Sequence, residues 1–307
     1  MKTAFLFSGQ GAQYPGMMHD IYFDFPEAKY IFDIAENQLD RNIGDLCFKG
    51  KQEELNLTHN TQPCVLAADL AAYMALCSHG IKADAVAGFS LGEYAALVAA
   101  GVINIQDSFS LIQKRADYMQ EAVPIGCGAM AAIMKQSADE VERLCNEVEG
   151  YVVPANYNCP GQIVISGEIG AVDKVCELSK ERKIRAIKLA VSAPFHCKMM
   201  EKAADNLRKN LIETNFSNPD IPIYLNVNGE KEMDGSIIRE QMVLQVKSPV
   251  MWEDTLRNMV QDGIDTFVEL GPGNVLSGFV KKTFQGDVRI FNITDVGSLK
   301  NTIDYLK

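Results

Sequence analysis

A single serine stands where the chain changes from a short apolar run to a run of strong helix formers. Residues 84–88 read DAVAG, residues 92–100 read GEYAALVAA, and Ser90 lies between Gly88 and Gly92. A G-x-S-x-G segment between a strand and a helix is typical of a nucleophile elbow, a sharp turn whose flanking positions must lack side chains. The turn projects the hydroxyl at a helix N-terminus, where free N–H groups stabilise negative charge. Ser90 is therefore predicted to be a nucleophile.

The hydroxyl of a catalytic serine needs a base, usually a histidine, and the chain offers four histidines. Three of them lie in loop-like segments or at a predicted helix end: His19, His59 and His79. His196 lies in the segment VSAPFHC, residues 191–197, between two predicted subdomains, where clefts form. It is either a satisfied core histidine or the base, and we favour it as the base for Ser90. Cys197 is a less favoured rival nucleophile, because side chains that neighbour in sequence usually point apart.

Arg115 stands on the apolar face of a helix predicted over residues 105–122. Its neighbours at three and four positions' distance are Leu111, Ile112, Tyr118 and Met119. An inward guanidinium must be compensated, since an unpaired buried charge costs several kcal/mol. Two explanations stay open at this point: an internal ion pair or snorkelling side chain, or a planar fork that binds the carboxylate of a substrate.

The composition restricts the class of protein. With 307 residues, 47% of them hydrophobic, the chain suffices for one large domain or two moderate ones. A formal net charge of −11 argues against a nucleic-acid or membrane-surface role, and no apolar run approaches the roughly 18 residues of a transmembrane helix. Eight scattered cysteines without a C-x-x-C pair or a metal-ligand spacing are typical of a reducing compartment. We expect a cytoplasmic protein without a metal site.

The order of the predicted elements indicates two folding units. Residues 1–123 and 192–307 alternate short apolar strands with helices, which is typical of a parallel α/β sheet with the serine at a strand's carboxyl end. One of these helices is predicted over residues 61–78, with Pro63 in its first turn. Residues 124–191 read β-α-β-β-α-β, the ferredoxin-like arrangement. We predict an α/β fold in which a ferredoxin-like subdomain is inserted into the larger one.

A cluster of five basic residues interrupts the acidic chain within residues 180–188, opposed only by Glu181. Its members are Lys180, Arg182, Lys183, Arg185 and Lys188. The sequence favours a solvated helix end, because Lys and Arg are common in the last helical turn. The alternative is a docking patch for an acidic partner.

Motifs spread over nearly the whole chain resemble those of the malonyl-CoA:acyl-carrier-protein transacylases, which makes the combination far more specific than any one of them. In chain order they are FSGQGAQ at residues 7–13, LTHNTQP at 57–63, GFSLGE at 88–93, Arg115, NYNCPGQ at 156–162, VSAPFHC at 191–197 and ELGPG at 269–273. Two positions depart from the family pattern. Phe89 replaces a histidine beside the nucleophile, and Ser8 replaces a proline before a glycine-rich loop.

The resemblance implies an α/β-hydrolase-like large subdomain and a ping-pong reaction. A malonyl group passes from malonyl-CoA to Ser90, with His196 as the base, and then to the phosphopantetheine thiol of an acyl carrier protein. The resemblance also implies that the main-chain carbonyl of Gln245 orients the histidine, and that the main-chain N–H groups of Gln10 and Leu91 form the oxyanion hole.

The same resemblance implies that Arg115 binds the malonyl carboxylate and that Gln62, Asn156 and Gln162 contribute to substrate binding. It implies no metal and no cofactor beyond the CoA thioester. Two alternatives are an acyl hydrolase on the same scaffold and a carrier-binding module without activity. A carboxylate fork argues against the first, and the retention of Ser90 with its predicted partners argues against the second. Fatty-acid and polyketide synthesis both remain open.

Overall fold

The computed structural model describes residues 1–124, 126–191 and 193–307. Ile125 and Ser192 lie outside the described residues. Ile125 falls in the predicted small subdomain, and Ser192 is the first residue of the second segment of the predicted large one. Within the described residues the strands are β1 (Thr3–Phe7), β2 (Ala85–Gly88), β3 (Gly128–Met134), β4 (Val152–Cys159), β5 (Gln162–Glu168), β6 (Arg185–Lys188), β7 (Ile223–Tyr224), β8 (Lys231–Glu232), β9 (Thr266–Leu270) and β10 (Arg289–Ile293).

The α-helices of the same residues fall into two groups by position in the chain. Those before the small sheet are α1 (His19–Asp24), α2 (Pro26–Leu39), α3 (Ile43–Lys49), α4 (Gln52–Leu55), α5 (Thr58–Cys77), α6 (Gly92–Ala99) and α7 (Ile105–Glu121). The others are α8 (Ala138–Asn146), α9 (Ile169–Glu181), α10 (Glu201–Glu213), α11 (Gly235–Gln245), α12 (Trp252–Gln261), α13 (Val275–Thr283) and α14 (Val296–Leu306), and a 3₁₀ turn, Lys198–Met200, precedes α10.

The larger sheet has six strands in the order β10–β9–β1–β2–β7–β8, and its neighbours are parallel apart from the β7–β8 pair. The run TAFLF of β1 is buried along its whole length, as a strand covered on both faces must be. Phe7 is in register with Gly88 of β2 and Leu270 of β9, so the segments that follow these three strands leave the sheet at one edge. Open α/β sheets bind their ligands at this edge.

The smaller sheet is antiparallel, with the order β4–β5–β3–β6. Helix α8 connects β3 to β4, and α9 connects β5 to β6, which completes the β-α-β-β-α-β arrangement. A parallel α/β unit combined with a ferredoxin-like unit confirms the predicted fold class. The last strand, β6, ends at Lys188, before the predicted end of the subdomain at residue 191. The boundaries proposed at 123/124 and 191/192 stay a prediction.

Strand β4 joins the two units. Asn156 forms a parallel bridge with Val250, the Tyr157 N–H donates to the Val250 carbonyl over 2.9 Å, and the Val250 N–H donates to the Ala155 carbonyl over 2.9 Å. These bonds hold the small sheet against the segment that follows α11. The small sheet is thus attached to the large unit by main-chain hydrogen bonds as well as by the connecting chain.

Helix α5 runs through the core, and 16 of its 20 residues are buried, which is typical of a helix that is apolar on every face. It begins at Thr58, so Pro63 lies inside the helix and not in the first turn as expected. A proline has no N–H for the carbonyl four residues earlier. That carbonyl belongs to His59, and it accepts hydrogen bonds from Arg41 Nη1 at 3.2 Å and Gln113 Nε2 at 3.5 Å instead. No helix in the described parts of the chain is long and apolar enough to cross a membrane.

Candidate active site

Ser90 occupies the turn between β2 and α6, with its main chain in the left-handed region at φ 53°. The two flanking glycines are required by close packing. A Cβ on Gly88 would overlap the Gly92 main chain, and a Cβ on Gly92 would overlap the carbonyls of Phe7 and Ser8. This sterically enforced turn is the strand–turn–helix geometry that the sequence predicts, and it presents the serine at the carboxyl edge of the sheet.

His196 contacts the serine directly, with Nε2 2.7 Å from Ser90 Oγ. Its Nδ1 lies 2.9 Å from the main-chain carbonyl of Gln245. Because a carbonyl only accepts, Nδ1 carries the proton and Nε2 is free to accept the serine proton. Burial, together with the nearby charge of Arg115, lowers the pKa of His196 to about 4. The imidazole is therefore neutral at pH 7, which is the form that can act as a base.

Arg115 is 1% exposed, so it does not snorkel, and it forms no ion pair within the described residues. Its Nη1 donates to Gln62 Oε1 at 2.8 Å, and its Nη2 donates to Ser90 Oγ at 3.0 Å and to Gln245 Oε1 at 2.9 Å. Burial lowers the pKa of Arg115. Its Cζ lies over the Tyr94 ring, 5.8 Å from the ring centroid. The guanidinium is thus held by neutral oxygens, and the ion-pair explanation for its inward position is wrong.

The Gln245 side chain links the arginine to a buried carboxylate. Its Nε2 donates to the Ser90 carbonyl at 2.7 Å and to Glu93 Oε2 at 2.8 Å, while its Oε1 accepts from Arg115. Burial raises the pKa of Glu93 to about 7, and the hydrogen bonds from Gln245 and the Asn226 main chain oppose that rise. Every polar atom of the Gln245 amide is therefore engaged, which fixes both its side chain and the carbonyl that meets His196.

The two predicted oxyanion-hole amides belong to segments that pack against each other at the serine turn. Gln10 belongs to the loop that follows β1, and Leu91 is the residue before α6. Neither main-chain N–H has an acceptor within the described part of the chain. Two free donors next to a nucleophile are what a developing oxyanion requires.

A cavity of about 260 Å³ opens between the two units at this point. Of the predicted site residues, the cavity wall contains Gln10, Ser90, Arg115, Asn156, Gln162 and His196. Gln62 and Gln245 lie behind the wall, where both accept hydrogen bonds from Arg115. Gln162 Oε1 accepts from Lys282 Nζ at 2.9 Å, at the exposed end of the cavity. No group of three metal-ligating side chains occurs in the described residues.

The chain is similar to known proteins over nearly its whole length. Residues 4–305 match the family model described as acyl transferase domain. The malonyl CoA-acyl carrier protein transacylase of Bacillus subtilis (strain 168) is 41% identical over 310 residues, covering 100% of this chain and 98% of that protein. The crystal structure of the Clostridium perfringens transacylase has a TM-score of 0.95 and 41% identity, covering 100% of this chain and 97% of that one. The chain belongs to the malonyl-CoA:acyl-carrier-protein transacylase family.

A third relative of this transacylase extends the comparison to a complex. It is a malonyl-transacylase solved with its type II PKS acyl-carrier protein, with a TM-score of 0.96 and 37% identity, covering 99% of this chain and 100% of that one. The Escherichia coli (strain K12) transacylase is 41% identical to this chain and covers 92% of each chain. The polyketide relative and the Escherichia coli relative are therefore similar to this chain to nearly the same degree.

Two further residues of this transacylase were missed by the sequence reasoning. Asn226 accepts from the Ser90 N–H through Oδ1 at 2.7 Å and donates from Nδ2 to the Gly88 carbonyl at 2.7 Å, so it braces both sides of the turn. Glu93 was part of the motif GFSLGE at residues 88–93, but no role was assigned to its carboxylate. No sequence signal pointed to Asn226, because it approaches the serine across 136 residues of chain.

The two departures from the family pattern have clear surroundings in this transacylase. Phe89 lines the cavity and packs edge-on against Trp252, with ring centroids 5.3 Å apart, and lies 6.1 Å from the Phe279 ring. Ser8 donates from Oγ to Asp69 Oδ1 at 2.6 Å. The first substitution makes the wall beside the serine apolar, and the second adds a buried hydrogen bond where a proline has no donor.

The basic cluster of this transacylase is partly neutralised. Arg182 pairs with Glu147, its Nη1 3.1 Å from Oε1, and Lys188 pairs with Asp173. The remaining members Lys180, Lys183 and Arg185 form no ion pair within the described residues and line a shallow surface concavity. Arg182 follows the end of α9, as the helix-end interpretation expects, but Arg185 and Lys188 lie on β6, where that interpretation is wrong. The unpaired residues leave a local positive surface.

Proposed function

We propose that Ser90 is the nucleophile of the malonyl transfer, that His196 is its base and that Arg115 binds the malonyl carboxylate. One observation carries the proposal: a single hydroxyl lies 2.7 Å from a neutral imidazole and 3.0 Å from a guanidinium that has no ion-pair partner in the described residues. The first contact activates an oxygen, and the second selects an anionic substrate.

The first half-reaction follows from these contacts. His196 Nε2 takes the Ser90 proton as Oγ attacks the thioester carbon of malonyl-CoA. The resulting oxyanion receives hydrogen bonds from the main-chain N–H groups of Gln10 and Leu91, and such donors are typically worth about 100- to 1000-fold each in rate. The carbon–sulfur bond then breaks, and the CoA thiolate takes the proton from the imidazolium. The products are free CoA and a malonyl ester on Ser90.

The second half-reaction reverses the roles. The phosphopantetheine thiol of the carrier gives its proton to His196, its sulfur attacks the ester carbonyl, and the Ser90 oxygen leaves and regains the proton. The Gln245 carbonyl keeps the imidazole in the tautomer that both halves need. A carrier protein as acceptor is supported by the relative that was solved with its own acyl-carrier protein.

The carboxylate of the substrate explains the inward arginine. Buried charges are stable when they are paired, and a malonyl carboxylate supplies the opposite charge that the described residues around Arg115 lack. Gln62 holds the far side of the guanidinium, so the fork is oriented before the substrate arrives. Asn156 and Gln162, in the cavity wall, are proposed to contact the CoA or phosphopantetheine arm.

The proposed reaction needs no metal or cofactor, since the chain supplies the nucleophile, the base, the oxyanion donors and the cation. We also propose that it takes place in the cytoplasm. All eight cysteines are free thiols, five of them buried, which is the usage expected of a reducing compartment.

Intact mass spectrometry tests the proposal in two additions. Malonyl-CoA alone is expected to add the mass of one malonyl group to the protein. When holo-carrier is added afterwards, the protein is expected to lose that mass and the carrier to gain it. Loss of the adduct to water at the same rate without carrier would identify an acyl hydrolase. No adduct and no loaded carrier would identify a binding module.

A further inference from the structure

We propose that Asp69 and Ser8 form a buried anchor that positions the Gln10 main-chain N–H beside the Ser90 turn, which makes Asp69 a positioning residue for malonyl transfer. The inference rests on the proposed function, because it concerns the oxyanion hole of that reaction. Asp69 lies on α5, belongs to none of the motifs that carry the family resemblance, and does not reach the cavity.

The contact between the two side chains is short and dry. Ser8 Oγ donates to Asp69 Oδ1 at 2.6 Å, and the residues are 1% and 0% exposed. The other oxygen of the carboxyl, Asp69 Oδ2, has no hydrogen-bond partner within the described residues. Burial of a carboxyl with one oxygen unpaired costs free energy, so general stability does not explain its presence.

The main chain of Gly271 closes the anchor from the end of β9. Gly271 has φ 112°, and a Cβ there would overlap Asp69 Oδ1 and stand 2.7 Å from Ser8 Oγ. The ends of β1 and β9 and the middle of α5 therefore meet at one hydrogen bond. None of the three can shift without breaking that bond or the packing around it.

The main chain of Ser8 transmits this position to the nucleophile. The carbonyls of Phe7 and Ser8 pack so closely on Gly92 that no Cβ fits there, and a Cβ on Gly9 would stand 2.8 Å from Phe89 Cδ1. The Phe89 N–H also donates to the Phe7 carbonyl over 3.0 Å. The loop that carries Gln10 thus leaves the anchor in direct contact with the turn that carries Leu91, and the separation of the two amides depends on where Ser8 is held.

The same helix also holds the proposed carboxylate site. Gln62, the Nη1 partner of Arg115, precedes Asp69 on α5 by seven residues, about two helical turns. A rigid helix that contacts both the arginine and the oxyanion loop keeps the substrate carboxylate and the oxyanion in register. A site of this kind must be held to within about 0.5 Å by residues whose own positions are fixed.

Two substitutions of Asp69 make a sharp test available. Asparagine has a similar shape and keeps a side-chain oxygen that can accept from Ser8 Oγ. Leucine has a similar shape and no acceptor. Burial raises the pKa of the Asp69 carboxyl well above its usual range, and the charge of Glu269 also raises it, against the hydrogen bonds from Ser8, so an uncharged amide suits this site.

The experiment measures single-turnover acylation by malonyl-CoA, together with steady-state kcat and KM. Ser8→Ala and Asp69→Leu are each expected to lower the acylation rate about tenfold with KM within twofold of wild type, because a displaced oxyanion donor affects the transition state and not the Arg115 contact. Asp69→Asn is expected to stay within twofold of wild type. The double variant Ser8→Ala/Asp69→Leu is expected to be no slower than the slower single variant.

Ser108→Ala is a matched control, because it also removes the hydroxyl of a buried serine. The Ser108 hydroxyl donates to the Ile105 carbonyl, away from the cavity. This variant is expected to leave the acylation rate unchanged. Any one of three results would overturn the proposed anchor. They are a wild-type acylation rate in Ser8→Ala, a KM that rises in step with the loss of rate, and multiplicative effects of the two substitutions on the rate of the double variant. If Asp69→Leu does not fold, Ser8→Ala and Asp69→Asn decide. Absence of acylation in wild type refutes the proposed function itself, which is a separate outcome.

Discussion

The Arg115 guanidinium adjoins the atom to which the acyl group attaches, since its Nη2 lies 3.0 Å from Ser90 Oγ. That oxygen also donates to His196 Nε2 at 2.7 Å, so one hydroxyl connects the cation and the base. A malonyl ester carries its carboxylate one methylene away from the ester carbonyl, which is short enough to fold back onto the guanidinium. Activation of the serine and choice of the acyl group are therefore served by neighbouring atoms.

Replacement of the arginine separates these two roles. Arg115→Ala is expected to slow acylation by malonyl-CoA about 100-fold or more, because charge-assisted hydrogen bonds are worth roughly 1.5–3 kcal/mol each. Acylation by acetyl-CoA, which has no carboxylate, is expected to be spared or increased. Arg115→Lys should rescue malonyl transfer poorly, since a point charge does not reproduce the planar fork. Equal losses for malonyl-CoA and acetyl-CoA would assign Arg115 a structural role.

The pH profile of the free enzyme should report the His196 pKa. Burial lowers that pKa to about 4, so the basic form is present above pH 4 and is lost as the pH falls through that value. We expect kcat/KM for malonyl-CoA to hold from pH 8 to about 5 and to decrease only below it. A step near pH 7 that disappears in Glu93→Gln belongs to Glu93, whose pKa is raised to about 7 by burial. A decrease centred near 6.5 that persists in Glu93→Gln would contradict this account.

The asparagine that braces the serine turn should matter for stability as well as for rate. Asn226→Ala leaves the Ser90 N–H and the Gly88 carbonyl unpaired and buried, which is expected to cost about 2–4 kcal/mol of unfolding free energy. Asn258→Ala is the matched control, because its Nδ2 makes one part-buried bond to the Gly229 carbonyl and should cost about 1 kcal/mol. Urea denaturation measures both, and equal costs would show that the turn does not depend on Asn226.

The sequence predicted the fold class and singled out Ser90 and Arg115 from local patterns, whereas the role of Gln245 came only from the resemblance to the family. The glycines around Ser90 and the apolar face under Arg115 are short-range signals, and the structure brings both residues to one cavity. Asn226 left no such signal, since it meets the serine turn only through the tertiary fold. Pro63 was placed in a first turn because sequence cannot show that Arg41 and Gln113 satisfy the carbonyl it leaves free.

The basic cluster offers a test of carrier docking. Acyl carrier proteins are generally acidic and this chain carries a net charge of −11, so a local positive surface is expected to guide the encounter. Reversal of Arg182 and Lys183 to Glu should raise the apparent KM for the carrier, with acylation by malonyl-CoA nearly unchanged. Because Arg182 is paired with Glu147, Lys183→Glu/Arg185→Glu is the cleaner variant.

The salt dependence supplies the control for this docking prediction. The effect of the reversed charges should shrink at high salt, since exposed charges are screened within roughly 10 Å at 0.1 M ionic strength. A carrier KM that stays unchanged at low salt would leave the cluster as a solvated surface without a role in docking.

The covalent intermediate tests the central claim most directly. Wild-type protein incubated with malonyl-CoA, quenched in acid and digested should yield one malonylated peptide, and fragmentation should locate the group on Ser90. Ser90→Ala, which removes only a hydroxyl in a site already held by Asn226 and Gln245, should fold normally and gain no adduct. A malonyl group on any other residue of wild type, or an adduct of equal yield on folded Ser90→Ala, would contradict the account.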